Sequence, residues 1–131
     1  MFKIDLNTKI LNIKGKPLKT PIYDDKGKKT GDKDSVLRDS LLLVLGSRFV
    51  MLDNKEAFWT TGLGILIADE KNKEIEISDN KRKFLKRIME NNKIKMNVAG
   101  GGEREVEVFF PYELSQILGA LMTPEELMEI E

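Results

Sequence analysis

The groups in this chain able to do chemistry are carboxylates, lysines, arginines, hydroxyls and tyrosines. Glu103, Glu105 and Glu107 alternate along one segment, and Glu125, Glu126 and Glu129 follow near the end. Paired carboxylates of this kind can shuttle protons or hold a divalent cation. The glutamates lack the loop geometry and Asp-rich spacing of a calcium site, so we read them as a charged edge that repels or recruits a protein partner. Such an edge can also imitate a nucleic-acid backbone and occupy a basic groove on another protein. Lys81, Arg82, Lys83, Lys86 and Arg87 form a basic run that could meet phosphates, with a solvated helix face as the plainer reading. Gly100-Gly101-Gly102 could cradle a phosphate, but no Lys-Ser/Thr follows and no helix starts directly after it, so a hairpin tip is the better reading.

The chain has no histidine and no cysteine. That removes Ser-His-Asp and Cys-His catalysis, thiolate nucleophiles and Cys/His zinc sites. No spacing among the remaining groups reads as an active site. The expectation is a protein that is not an enzyme and carries neither cofactor nor metal.

At 131 residues, with 40% hydrophobic and 34% charged residues, one globular domain spanning 1–131 is expected. No apolar run reaches the length of a membrane span. Met1 to Asp5 lacks the apolar region of a signal peptide, so the cytoplasm is the expected compartment. The net charge is zero but polarised: from Glu103 onward eight acids face one base, a net −7, which leaves +7 on residues 1–102. Such polarity can steer two partners, or two copies, together. It can also compensate within one domain.

The positioning elements read as α+β, an antiparallel sheet of about four to five strands packed against about four helices. Phe2, Ile4 and Leu6 alternate as a strand with one buried face, and residues 10–13 are a second short candidate. Residues 18–23 read as an edge strand because of Pro21. Residues 24–33 are polar and glycine-punctuated, and read as a mobile loop. Asp34 or Ser35 is placed to cap a helix through Leu41-Leu42-Leu43-Val44-Leu45, whose apolar run covers more than one face. Asp53 or Asn54 starts a second helix to Ala68, in which Gly62 and Gly64 either weaken the middle or permit a close helix contact or a break. Residues 73–77 alternate as a strand, and Ser78 caps a third helix to about Asn91.

Ile94, Met96 and Val98, then Val106, Val108 and Phe110, alternate on either side of the glycine tract. They define a hairpin with its tip at 99–104 and Lys93/Lys95 opposite Glu105/Glu107. A helix over 112–122 follows. Thr123-Pro124-Glu125-Glu126 is a capping box with proline at the first helical position, opening a short last helix. Trp59 is a core residue or an interface anchor. Met122, Leu127, Met128 and Ile130 form a terminal apolar stripe that folds back or docks on a neighbouring copy.

Three stretches together resemble a recurrent type of small protein from tailed phages and prophages. They are Phe2-Lys3-Ile4-Asp5-Leu6-Asn7 with the Gly15-Lys16-Pro17 turn, Val36-Leu37 through Leu41–Leu45, and Ile65 to Asn91 with Glu74-Ile75-Glu76-Ile77-Ser78 leading into the basic helix. The glycine-tipped hairpin departs from that pattern. The resemblance covers about half of the chain and implies a phage-related origin, hence the cytoplasm of a bacterial host, but no activity.

The leading expectation is a non-enzymatic protein that binds a host or phage protein, for example as an inhibitor of a host defence nuclease of the anti-CRISPR kind. Glu103, Glu105, Glu107, Glu125, Glu126 and Glu129 are its expected contact face. The alternatives are a phage assembly protein that forms a homo-oligomer through the terminal stripe and hairpin, and a DNA-binding regulator using the basic helix.

Overall fold

A computed structural model describes residues 1–47 and 49–130. Among these residues the order is β1 (Phe2–Asp5), β2 (Lys19–Tyr23), β3 (Lys29–Asp34), α1 (Leu37–Leu45), α2 (Lys55–Ala68), β4 (Glu74–Ile77), α3 (Asp79–Asn91), β5 (Lys93–Asn97), β6 (Glu103–Glu107), α4 (Pro111–Ala120) and α5 (Pro124–Met128). The α+β class holds. The single sheet of four to five strands does not. Six strands pair as three separate antiparallel ribbons, β1–β4, β2–β3 and β5–β6, alongside five helices.

The core is mostly helical, with one ribbon inserted. In β1–β4 the register sets Ile4 opposite Ile75 and Phe2 opposite Ile77, while Lys3–Glu76 and Asp5–Glu74 occupy the other face. Period two therefore buries Ile4, Ile75 and Ile77 and leaves the charged face in water. These isoleucines join Leu37, Leu41 and Val44 of α1, Leu63 and Ile67 of α2, Phe84, Leu85 and Ile88 of α3 and Ile117 of α4 in one cluster.

Residues 24–33, expected as a loop, are the arm of a hairpin. Lys29–Asp34 pairs with Lys19–Tyr23, and only 24–28 turns, with Asp24 accepting from the Lys26 and Lys28 N–H groups at 2.9 Å. Residues 10–13 form no strand. Leu11 makes an isolated bridge to Pro17, and Gln116 of α4 holds its peptide, accepting from the Leu11 N–H and donating to its carbonyl, both at 2.8 Å.

Neither Asp34 nor Ser35 caps α1. Asp34 pairs with Lys19 and Lys9, the Ser35 hydroxyl meets Thr20, and Asp39 accepts from the Val36 N–H at 3.1 Å in their place. Ser78 and Thr123 do cap α3 and α5, each accepting from the N–H three residues on. Asn92 ends α3 in the left-handed region, at φ 51°. It then fixes the hairpin exit: its amide donates to the Phe109 carbonyl at 2.9 Å and accepts from the Phe109 N–H at 2.8 Å.

The β5–β6 register opposes Lys93 to Glu107, Lys95 to Glu105 and Asn97 to Glu103. Gly100, Gly101 and Gly102 all take positive φ, as a turn of this shape requires. Strand pairing stops at Glu107, and Asn92 captures the chain there. Phe109 is consequently the buried aromatic and Phe110 the exposed one, the reverse of the alternation continued from β6.

Candidate functional site

The basic run of α3 is an internal fastening. Arg82 is 3% exposed, with its guanidinium on Asp79 at 2.8 Å, the Leu121 carbonyl at 3.0 Å and Glu126. Lys86 reaches Glu126 at 2.8 Å and Glu90 at 3.4 Å. Arg87 binds the buried Glu56 of α2 and the Val50 carbonyl. The expected outward face of Arg82, Lys86 and Arg87 is thus spent on α2, α4 and α5. Apolar stems and a shared carboxylate let these cations lie inside the domain.

Glu126 is removed from the expected acidic contact face by the same bonds. The Lys86 ammonium first, then the Thr123 N–H and hydroxyl and the nearby Arg82, hold its carboxyl at about 2, against a desolvation that pushes it up. Asp79 is likewise lowered, by Arg82 first and then Lys83. Glu125 on α5 and Glu129 just after it stay exposed, whereas Glu103, Glu105 and Glu107 lie on the hairpin, two of them opposite lysines. The six glutamates therefore sit on two different elements and are partly neutralised. Glu131, the last of the acidic tail, lies outside the described residues. In the terminal stripe Met122 is half-buried, and Leu127, Met128 and Ile130 are exposed. The ion cluster, rather than the stripe, fastens α5 to α3.

The surface that sequence reading missed is on α2. From Ala57 to Ala68 the helix carries no charge. A helix apolar all round is normally buried, yet only Glu56, Leu63 and Ile67 are buried here. Phe58 is 79% exposed and Ile65 70%, two turns apart on one side, with exposed Thr61 and Gly62 between them. Trp59, expected as a core residue or an interface anchor, turns inward: half-buried, it packs on Phe84 at 5.8 Å. Its neighbour Phe58 takes the outward position.

Two arginines hold the helix in that pose. At its start, Glu56 accepts from the Leu52 N–H at 2.7 Å and from Arg87. At its end, Arg38 of α1, 7% exposed, donates to the carbonyls of Ile67, Asp69 and Asn72. The bond to Ile67 satisfies a carbonyl that the helix end leaves without a partner, and the other two tie the turn that follows to α1. Beside the helix a groove of about 410 Å³ is lined by Phe49, Met51, Ala57, Thr60 and Lys95.

A second cavity, of about 370 Å³, lies between β2, α1 and the start of α4, with Leu43, Phe109 and Phe110 among its walls. Its polar rim is already engaged: Lys19 with Asp34, Thr20 with Ser35, Asp39 with Lys33 and Glu113 with the Phe110 N–H. Among the described residues no cluster of acids is arranged to hold a metal ion, and no helix is long and apolar enough to cross a membrane. Comparison with known proteins finds no family model, no curated protein and no solved structure that matches this chain.

Proposed function

We propose that this chain is a non-enzymatic binding protein that acts by covering the surface of another protein. The observation that carries the reading is the uncharged, exposed face of α2, with Phe58 and Ile65 standing in solvent. Large exposed apolar groups on a rigid helix are how contact surfaces are built. The sequence resemblance to small proteins of tailed phages and prophages supports a phage setting, with a host defence or nucleic-acid-handling protein as target and the host cytoplasm as the place of action. The glutamates that remain outward, Glu105, Glu107, Glu125 and Glu129, offer a further charged surface to a basic partner.

The self-associating assembly protein is the second reading, favoured by the exposed Leu127, Met128 and Ile130 of the terminal stripe. Regulation by DNA binding is the weakest, since four of the five cations of the α3 run are tied to carboxylates and carbonyls within the domain.

The test compares capture from infected host lysate by the wild-type chain and by Phe58→Glu, with circular dichroism to verify folding. The reading expects a stoichiometric protein bound by the wild type and lost with Phe58→Glu. Identical capture by both chains contradicts it.

A further inference from the structure

We propose that the cavity between β2, α1 and the start of α4 binds a small uncharged ring compound, with an oxygen of that compound held by the Ser40 hydroxyl. None of the residues lining the cavity belongs to α2. The inference therefore goes beyond the contact-surface reading, and its failure leaves that reading standing.

The first support is Ser40 itself. It lines the cavity and is only 8% exposed. A serine or threonine inside a helix commonly turns its hydroxyl back to the carbonyl four residues earlier. Thr60 and Thr61 do so on α2, and Ser47 does so just after α1. Ser40 does not. Every other serine and threonine of the chain has its hydroxyl in a hydrogen bond, and Ser40 alone has no partner for it among the described residues. A buried hydroxyl left without a partner calls for a reason. Its oxygen is not sealed in, because no fully enclosed side-chain oxygen or nitrogen of the described residues lacks a bond. It opens on the cavity.

The second support is shape. Ile10 and Phe109 are both buried and make the recess deep, and Leu18 and Leu43 add apolar wall. Phe110 and Tyr112 stand parallel beside them, rings 5.7 Å apart and 9° from coplanar. About 370 Å³ is the volume of about a dozen water molecules, which is room for one ring with a short substituent. Aromatic walls suit a ring. Water in such a recess finds few polar partners besides Ser40, so a ligand gains by displacing it.

The third support is charge. Lys19 is paired with Asp34, and Asp39 takes Lys33 and the Val36 N–H. Glu113 accepts from the Phe110 N–H at the start of its own helix, where the helix dipole also offsets its charge. No cation of the lining is left for an anionic ligand, and the buried floor holds no anion for an ammonium. A charge carried into an apolar recess without a partner is costly. What the site has left to offer is a hydroxyl, which suits an uncharged hydrogen-bonding oxygen.

The test is titration of the full chain with four probes of one shape: acetophenone, cumene, benzoate and 1-phenylethylammonium. They place a ketone, no oxygen, an anion and a cation beside the same ring. Binding is read from backbone amide shifts in two-dimensional NMR. Acetophenone should saturate at about millimolar concentration, moving Ser40, Leu43 and Phe109 to Tyr112. Benzoate and the ammonium should bind more weakly than acetophenone. Ser40→Ala should weaken acetophenone about 3- to 10-fold, the effect of one neutral hydrogen bond, and leave cumene unchanged. The same substitution should raise the melting temperature of the free chain by a few degrees, because alanine is the better helix former and no unpartnered hydroxyl is buried. Should Ser40→Ala fold poorly, a nuclear Overhauser contact between the acetophenone methyl and the Ser40 side chain in the wild type makes the same assignment.

No saturation at these residues up to the solubility limit of acetophenone means that the cavity holds water only, and overturns the proposal. Equal effects of Ser40→Ala on acetophenone and cumene overturn it, as does tighter binding of benzoate or the ammonium. A fall in melting temperature for Ser40→Ala shows that the hydroxyl is bonded within the folded chain, and overturns it too.

Discussion

Replacing Arg38 should loosen the end of α2 and with it the surface that the helix presents. The guanidinium donates to three carbonyls, those of Ile67, Asp69 and Asn72. Hydrogen bonds from a charged donor contribute about 1.5–3 kcal/mol each, and a buried acceptor left unpaired costs about 1–3 kcal/mol. Ile67 is fully buried, while Asp69 is exposed and Asn72 half-buried, so water can replace part of what the latter two lose. Arg38→Met keeps the apolar stem and removes all three bonds. Counting one full and two partial losses gives about 3 kcal/mol, a fall in melting temperature of roughly 10 °C for a domain of this size. Arg38→Lys can keep one or two of the bonds and should lose about half as much. The assay is urea unfolding followed by far-ultraviolet circular dichroism and by the fluorescence of Trp59, the single tryptophan, which reports α2 packed on Phe84. A loss below about 1 kcal/mol for Arg38→Met, or one no larger than for the exposed Arg104→Met, would refute the reasoning.

Glu126→Gln should destabilise the domain by roughly 2 kcal/mol at neutral pH, because Arg82 stays buried with one anionic partner fewer. The Glu126 carboxyl is lowered to about 2 in the folded chain, so its contribution is complete above the ordinary glutamate range and is lost as pH falls through about 2. Unfolding curves of wild type and Glu126→Gln should therefore converge between about pH 4.3 and the folded value, and a constant gap down to pH 2 contradicts the assignment. Asn92→Ala should cost about 2 kcal/mol, through the left-handed backbone and the two bonds to Phe109. Asn92→Gly should restore only the backbone part. Equal stability of the alanine and glycine variants in urea would show that the backbone conformation contributes nothing.

Local signals survived folding where one element contains its own reason. The alternation of Phe2, Ile4 and Leu6, the Ser78 cap, the Thr123 capping box and the glycine-tipped hairpin with its Lys–Glu register are all within a few residues or one turn. What failed depended on distant partners. Lys29–Asp34 is the exception, a strand in a local hairpin with Lys19–Tyr23 that lacks the apolar alternation by which a strand is read. The cations of α3 read as a solvated face because their acceptors, Glu56, the Leu121 carbonyl and Glu126, come from other helices. Arg38 carries no local signal at all. The α2 face was hidden for another reason: an uncharged helix looks like a buried one, and only the structure reveals that one side of it has no cover.

The central claim is that the Phe58–Ile65 side of α2 is covered when the protein works. Thiol alkylation tests it directly, since Thr61→Cys and Lys29→Cys each carry one cysteine and no other. Rates are compared between dilute purified protein and the same chain in infected host lysate or at high concentration. The account predicts that the thiol at position 61 reacts at the exposed rate when dilute and about 10-fold or more slowly when its partner is present, while the thiol at position 29 keeps its rate. Equal reactivity at position 61 under every condition would contradict the account.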